Sequence, residues 1–395
     1  MLTSLALIFL IGMLMGSIFK KLKLPSLLGM LLTGIVLGPH VLNLLDGKIL
    51  DISADLRKFA LIIIITKAGL SLDLKDLIKV GRPAVLMCFV PACFEIIAMI
   101  LLAPILLNVS ILDAAIIGTV VGAVSPAVVV PKMLNLMENG YGTNKSIPQL
   151  ILAGASVDDV FVIVMFTSFM GLARGEVISA SSFMQIPVSI VLGIIGGFIA
   201  GLMFIELFKR FYMRDSNKVI LILSSAFLLV AAEDFLRDVI PFSGLLAVMS
   251  VGILIQKNNN VLAGRISSKF SKLWVAAELI LFVLVGAAVD ITYAAKAGVN
   301  SILLIFGVLL FRMLGVYISL LKTQLTIKER LFCMIAYSPK ATVQAAIGSV
   351  PLAMGLECGQ IVLTVAVIAI LITAPLGAFG IDVTYKKLLY HNPSH

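Results

Sequence analysis

The sequence predicts an all-α polytopic membrane protein: thirteen transmembrane helices forming an inverted-topology repeat around two crossing discontinuous helices. Three observations lead there. Of 395 residues, 61% are hydrophobic and only 13% charged, about half the charge of an ordinary soluble chain. The apolar residues gather in runs long enough to cross a hydrocarbon core of roughly 30 Å as helices, which argues against the short alternating strands of a β-barrel. Two of those runs carry a Ser-Pro dipeptide near the middle, seven spans apart.

The thirteen spans fall at about 3–19, 25–43, 56–72, 83–107, 112–136, 148–172, 184–208, 217–235, 240–256, 273–292, 299–321, 329–353 and 358–381. The basic residues between them alternate. One set of loops holds twenty-one: Lys20, Lys21, Lys23, Lys75, Lys79, Arg82, Lys132, Lys145, Lys209, Arg210, Arg214, Lys218, Lys257, Arg265, Lys269, Lys272, Lys322, Lys328, Arg330, Lys386 and Lys387. The other set holds six: Lys48, Arg57, Lys58, Arg174, Arg237 and Lys296. The richer set is assigned to the cytoplasm of a cell bounded by this (inner) membrane. Thirteen spans then put the N-terminus outside and the C-terminus in the cytoplasm. The net charge of +9 is thereby explained by orientation, and no nucleic-acid partner is expected.

The first run lacks a basic segment ahead of it and has its lysines behind, the wrong polarity for a cleaved signal. It is read as the first span. Gly12 and Gly16 in that span, and Gly193, Gly197 and Gly201 in the seventh, are small-residue ridges suited to close helix packing. The second span stops at Gly38-Pro39. Cys88, Cys93, Cys333 and Cys358 match no zinc or redox spacing, and His40, His391 and His395 form no metal motif.

The fifth and twelfth spans are the unusual ones. They read IIGTVVGAVSPAVVVPKML and FCMIAYSPKATVQAAIGSVPL, broken at Ser125-Pro126 and Ser338-Pro339. Proline removes a backbone donor and clashes with the preceding turn. An offset of seven spans reverses orientation, so spans four to six and eleven to thirteen form an inverted repeat. Interrupted helices in matching places mark a transporter's binding site.

Five ionisable residues lie near the midplane: Glu95 in span four, Asp158 and Asp159 in span six, Arg312 in span eleven and Lys340 in span twelve. Asp158 is about 15 Å along its helix from Pro148, close to mid-bilayer. Each ionised Asp there costs roughly 2.5 to 3.5 kcal/mol. A buried charge pairs or faces water, so Glu95 is paired with Arg312 as a structural ion pair. Lys340 either supplies a counter-charge where half-helix ends meet, the preferred reading, or pairs with Asp158. Lys67 near a span end reads as snorkelling and Glu206 as a helix-end charge, while Glu278 either lines an inner funnel or is packed or protonated.

Carboxylate oxygens accept either a proton or a hard monovalent cation such as Na⁺ or Li⁺. If the same oxygens take one or the other, the two compete, and competition with alternating access is antiport. The backbone groups freed at the two breaks complete the shell or offset its charge.

The residues also resemble a family. LPSLLGMLLTGIVLGP is similar to an early-span pattern of the cation:proton antiporter superfamily, and the Asp-Asp pair resembles that of the branch including NhaA and NapA. GAVSPAVVVPKML, GYGTNKSIPQLILAGASVDDVFVIVMFTSFMGLA and SPKATVQAAIG look like the NHA-type (SLC9B-like) sodium/proton antiporters. The resemblance implies an elevator-like core at 83–172 and 299–381, a dimerisation domain at 1–72 and 217–292, and a linker helix at 184–208. It implies a homodimer in the lipid bilayer, with no cofactor beyond the transported Na⁺ or Li⁺ and H⁺. Asp159 is the implied main cation and proton ligand, assisted by Asp158, with Ser125, Pro126, Ser338, Pro339 and Lys340 supporting the crossover. Arg312 stands where many Asp-Asp antiporters carry Lys. Arg does not release its proton in proteins, so one proton per cation, an electroneutral exchange, is expected.

Rival functions fit less well. A sodium-coupled organic-solute symporter on a related inverted-repeat fold needs a roomy polar cavity, and spans five and twelve offer few such side chains. An intramembrane aspartyl protease needs two Asp converging from different helices, whereas these are neighbours on one. A channel needs a polar pore-lining ring, which is absent.

Overall fold

The structure, a computed structural model, describes residues 1–22, 24–71, 81–173, 180–236, 240 and 242–391. Lys23, Lys75, Lys79, Arg174 and Arg237 of the loop-charge comparison lie outside these residues. The described residues are helical, with one isolated β-bridge, Tyr141 to His391. In lipid every backbone polar group needs an internal partner, and a helix supplies it within one segment.

The helices, in chain order, are α1 Leu2–Lys21, α2 Ser26–Leu37, α3 Gly47–Asp51, α4 Ser53–Ser71, α5 Arg82–Met87, α6 Val90–Leu107, α7 Ile111–Val121, α8 Pro126–Glu138 and α9 Ile147–Ala173. There follow α10 Ala180–Arg210, α11 Asp215–Leu236, α12 Gly244–Asn258, α13 Asn260–Ala287, α14 Ile291–Ser319, α15 Ile327–Ala336, α16 Thr342–Ile347, α17 Val350–Ala353 and α18 Gly359–Leu388. Among the described residues nine helices are long and apolar enough to cross a membrane, counting α5–α6 and α7–α8 as one each. Ser26–Leu37, Gly244–Asn258 and Thr342–Ala353 are shorter apolar helices. The chain is a multi-pass membrane protein.

Two compact units divide it: Met1–Ala54, Asp76–Ala173 and Leu279–His395 form the first, Asp55–Lys75 and Arg174–Glu278 the second. The segments 1–72 and 217–292, grouped together by the resemblance, are shared between the two.

In the first unit, α2 lies so close to the end of α13 that a Cβ on Gly34 would stand 1.9 Å from the Val283 carbonyl oxygen. Gly286 faces α2 just as closely, 2.1 Å from the Leu31 oxygen. No larger residue fits either place without separating the helices. Gly12 and Gly16 abut Leu279, Val283 and Met30, as a packing seam requires. The two interrupted helices also belong here. Helix α7 starts at a Ser110–Asp113 capping box and stops at Val121, and α8 restarts at Pro126. Helix α15 starts at a Thr326–Glu329 capping box and stops at Ala336. Proline at the first helical position has no donor to lose, which is why Ser125-Pro126 restarts a helix cleanly.

In the second unit, the α10 ridge serves packing. Cβ atoms on Gly193, Gly197 and Gly201 would meet Ser243, Ala247 and Leu254 of the α12 segment. Glu233 accepts a hydrogen bond from the Gly244 N–H, 2.8 Å away, and so holds the start of α12.

Several spans differ from the sequence reading in their ends or their continuity. The tenth span, placed at 273–292, belongs to a helix that starts at Asn260, and Arg265, Lys269 and Lys272 lie on it rather than in a loop. Lys and Arg are good helix formers, so polarity ended the apolar run without ending the helix. The Asn259 side chain caps Leu262 N, and Arg265 pairs with Asp215 at 2.9 Å. The twelfth span is broken twice, after Ala336 and again at Gly348-Ser349 before Pro351. The fourth is broken at Cys88-Phe89, ahead of Pro91.

Candidate ion-binding site

The two breaks meet. Ser125 N donates to the Pro339 carbonyl at 2.7 Å, so the interrupted chains touch backbone to backbone. Breaking a helix orphans carbonyls on one side and N–H groups on the other. Side chains from three other helical segments take them up.

Arg312, on α14, is 1% exposed and spends four hydrogen bonds here. Nε donates to the Tyr337 carbonyl at 2.7 Å. Nη1 donates to Glu95 Oε2 at 2.6 Å and also to the Gly122 carbonyl. Nη2 donates to Asp158 Oδ2 at 2.9 Å. The guanidinium carries five donors in a rigid fork, and no other side chain spans two carboxylates and two carbonyls in this way. The Tyr337 ring lies 5.1 Å from its carbon, and the Tyr337 hydroxyl donates to the Met87 carbonyl at 3.0 Å.

Asp158 is fully buried on α9, and its Oδ2 also accepts the Val124 N–H at 2.8 Å. Glu95, on α6, is 1% exposed. Its Oε2 takes Lys340 Nζ at 2.6 Å as well as Arg312. Lys340 therefore bonds Glu95 and not Asp158. Asp158 Oδ2 already has two donors, and the long lysine stem reaches past the break to the Glu95 carboxylate. The Lys340 backbone N–H goes to Thr373 Oγ1 at 2.9 Å.

Gln344, on α16, is 1% exposed. Its Oε1 accepts the Ala341 N–H at 2.7 Å, and its Nε2 donates to the carbonyls of Ala123 at 2.8 Å and Val121 at 3.2 Å. Ser338 Oγ turns back onto the Ile335 carbonyl at 2.8 Å. Pro126 is the first residue of α8, and Gly377 of α18 passes so close that a Cβ there would strike the Pro339 ring at 2.3 Å.

At the crossing itself, three buried oxygens lack a hydrogen-bond partner: Asp158 Oδ1, Asp159 Oδ1 and Ser125 Oγ; Gln149 Oε1, Ser301 Oγ and Gln360 Oε1 are the other such oxygens among the described residues. Asp159 is partly exposed as a residue, although its Oδ1 is closed off. Buried acceptors without donors are rare and call for an explanation.

All nine residues singled out from the sequence thus fall at or beside the crossing. Gln344, Thr373 and Tyr337 were missed. Gln344 had a signal, a long polar side chain in the apolar part of a broken span. Thr373 and Tyr337 had none that separates them from ordinary span residues. Within the second unit, Glu206 accepts from Arg210 one helical turn on, at 2.7 Å, on an exposed face.

Interrupted helices crossing beside a buried charge cluster, in a multi-pass helical protein, define the class of secondary ion transporters. The comparisons give the family. The transmembrane sodium/hydrogen exchanger model matches residues 5–387. Sodium/hydrogen exchanger 9B2 of Mus musculus is 34% identical over 397 residues, covering 95% of this chain and 71% of its own. The Homo sapiens 9B2 protein is also 34% identical, over 93% of this chain and 70% of its own. Homo sapiens 9B1 is 31% identical over 94% and 74%. The solved structure of MjNhaP1, a sodium proton antiporter from Methanocaldococcus jannaschii, superimposes with a TM-score of 0.85, covering 98% of each chain at 20% identity, and so bears on fold alone. The chain belongs to the sodium/hydrogen exchanger family. The relatives are transporters, not enzymes.

Proposed function

We propose that this chain exchanges Na⁺ or Li⁺ for H⁺, with the two competing for Asp159 and Asp158. One observation carries the reading: Asp158 Oδ1, Asp159 Oδ1 and Ser125 Oγ are buried without partners while the polar groups around them are paired. Two carboxylates and a hydroxyl suit a hard, small cation, and each carboxylate oxygen takes a proton instead when the cation is absent.

Formal charge supports one ion at a time. Glu95 and Asp158 are balanced by Arg312 and Lys340. Ionised Asp159 leaves the cluster at minus one, and either one H⁺ or one Na⁺ neutralises it. An uncompensated charge is penalised in the bilayer, so the loaded cluster is the one that crosses. Arg312 keeps its proton, so the carboxylates carry it alone, and the exchange is electroneutral.

In this reading the chain has thirteen spans, with its N-terminus outside and C-terminus inside the cytoplasmic membrane. The matched breaks before Pro126 and around Pro339 support an inverted repeat of spans four to six and eleven to thirteen. Those spans move as an elevator against a dimerisation domain of spans one to three and eight to ten, joined by span seven, in a homodimer.

The test is direct. Purified protein is placed in vesicles enclosing a pH-reporting dye, and NaCl or LiCl is added without any organic solute. Cation-driven proton flux is the expected result. No flux with either cation, from protein shown to be folded, would overturn the antiport reading.

A further inference from the structure

The motif around the second break holds a buried amide, Gln344, to which the antiport reading assigns no part. Gln344 uses its whole amide. One end accepts the N–H of Ala341 at 2.7 Å, and the other donates to the carbonyls of Ala123 and Val121 at 2.8 and 3.2 Å. Arg312 takes the Gly122 carbonyl between them. Asp158 takes Val124 N–H and Pro339 takes Ser125 N–H. The Val121, Gly122 and Ala123 carbonyls and the Val124 and Ser125 N–H groups are therefore committed within the protein. Ser125 Oγ, on the residue after the Val124 whose N–H Asp158 accepts, is a hydroxyl left without a partner.

We infer that Gln344 is a specificity-determining positioning residue: by capping the Val121 and Ala123 carbonyls it withholds them from the transported cation and keeps the site small. The inference rests on the antiport reading and deepens it. K⁺ is accommodated where several backbone carbonyls replace its hydration shell, whereas smaller hard cations need fewer oxygens. A site limited to carboxylate and hydroxyl oxygens disfavours K⁺. With Gln344 removed, two buried carbonyls lose their donor, and a bound cation is the group able to satisfy both. The same amide ties the end of the α7 segment to the start of α16, so the withheld carbonyls and the half-helix move together.

Gln344→Met keeps the length and shape of the side chain and removes its donors. In vesicles, KM for Li⁺, Na⁺ and K⁺ is measured from cation-driven proton flux. The K⁺-to-Na⁺ ratio of KM is expected to fall by about three- to tenfold, the range of one net hydrogen bond. A merely structural role changes folded yield and maximal rate and leaves that ratio alone. A folded Met variant with the unaltered ratio would overturn the inference. If that variant does not fold, Gln344→Asn, one methylene too short to reach both carbonyls, is read the same way. The unaltered protein provides a further arm. Its unfolding midpoint is expected to rise more with Li⁺ or Na⁺ than with K⁺, and equal shifts with all three overturn the inference. Unaltered protein that moves no protons with any cation overturns the antiport reading and this one with it. A sodium-driven flux combined with an unchanged variant ratio overturns this one only.

Discussion

Arg312 is bonded to Asp158 through one carboxylate oxygen, Nη2 to Oδ2 at 2.9 Å, while Oδ1 of the adjacent Asp159 is buried without a partner. Neighbouring residues on a helix project about 100° apart, so the two carboxylates need not share one cation equally. The pair is thereby split into unequal members. Both Oδ1 atoms are buried without a donor, but Asp158 is neutralised and held through its Oδ2 by Arg312 and Val124.

The two aspartates are therefore expected to respond differently to the same change. Asp159→Asn removes a charge without breaking a bond, so proton flux driven by Na⁺ should fall to background while the unfolding midpoint stays at or above that of the unaltered protein. Asp158→Asn breaks a buried ion pair, which costs about 3–5 kcal/mol when one partner is removed. Thermal unfolding in detergent, with flux in vesicles, measures both. Retained exchange in Asp159→Asn would remove that residue from its role.

Glu95 is the point on which two cations converge, Arg312 and Lys340, each at 2.6 Å. Replacing Glu95 and Arg312 together would leave Lys340 and Asp158 unpaired, so that double change is expected to stay destabilised. Glu95→Gln with Lys340→Met is the balanced change, because Arg312 keeps Asp158 and the formal charge of the cluster is preserved. Each single substitution is expected to destabilise by about 3–5 kcal/mol, and the double by much less. A double-mutant cycle on unfolding midpoints reads the coupling, and additive losses would mean the two do not act as a pair.

How much of this was readable beforehand follows from what lipid makes conspicuous. Continuous apolar runs are forced by the bilayer, so the helices were legible, and a proline inside such a run stands out, so the breaks at Pro126 and Pro339 were too. A charge in an apolar run is equally visible, which is how Glu95, Asp158, Asp159, Arg312 and Lys340 were found. Glu95 meeting Arg312 was read from the sequence, and the two bond at 2.6 Å, but the remaining contacts of the cluster were not legible. Lys340 goes to Glu95 and Arg312 also bridges to Asp158, choices set by how far side chains from different helices reach. Helix ends beyond the hydrocarbon were misread for a related reason. The first turns of α13 are rich in Ser, Lys and Arg, which hydropathy treats as loop and backbone propensity treats as helix. Gln344 is uncharged, so its one signal, a long polar side chain in a broken apolar span, was weaker than that of a charge.

Helix approach in the first unit sets a sharp steric test. The space between Gly34 and the Val283 carbonyl is absent, with a Cβ 1.9 Å from that oxygen. Gly34→Ala is expected to destabilise by about 1–3 kcal/mol or more through forced separation of α2 and α13. Gly264, also on α13, has nothing within 4 Å of an added Cβ. Gly264→Ala is expected to be neutral or to stabilise by up to about 1 kcal/mol, since Ala is the better helix former. Unfolding midpoints of the two variants should move in clearly different ways, and a tolerated Gly34→Ala would show that the seam opens easily.

The response to membrane potential tests the charge count of the whole cluster. One net charge crossing the membrane is worth about 2.3 kcal/mol per 100 mV. With Arg312 permanently protonated, the cluster carries either one H⁺ or one Na⁺ and is neutral in both, so the exchange rate at a clamped pH gradient should not respond to an imposed potential. Arg312→Lys changes that logic without changing the formal charge. A buried lysine can give up its proton, whereas arginine does not, so the variant has a second proton carrier beside Asp158. If the introduced lysine releases its proton when the cation binds, two protons exchange for one Na⁺ and the rate becomes sensitive to potential. Potassium-valinomycin clamps of either sign on vesicles holding each protein read this directly. A rate in the unaltered protein that follows the potential would overturn electroneutral exchange, and would require a second group in the cluster, Lys340 being the candidate, to lose a proton in each cycle.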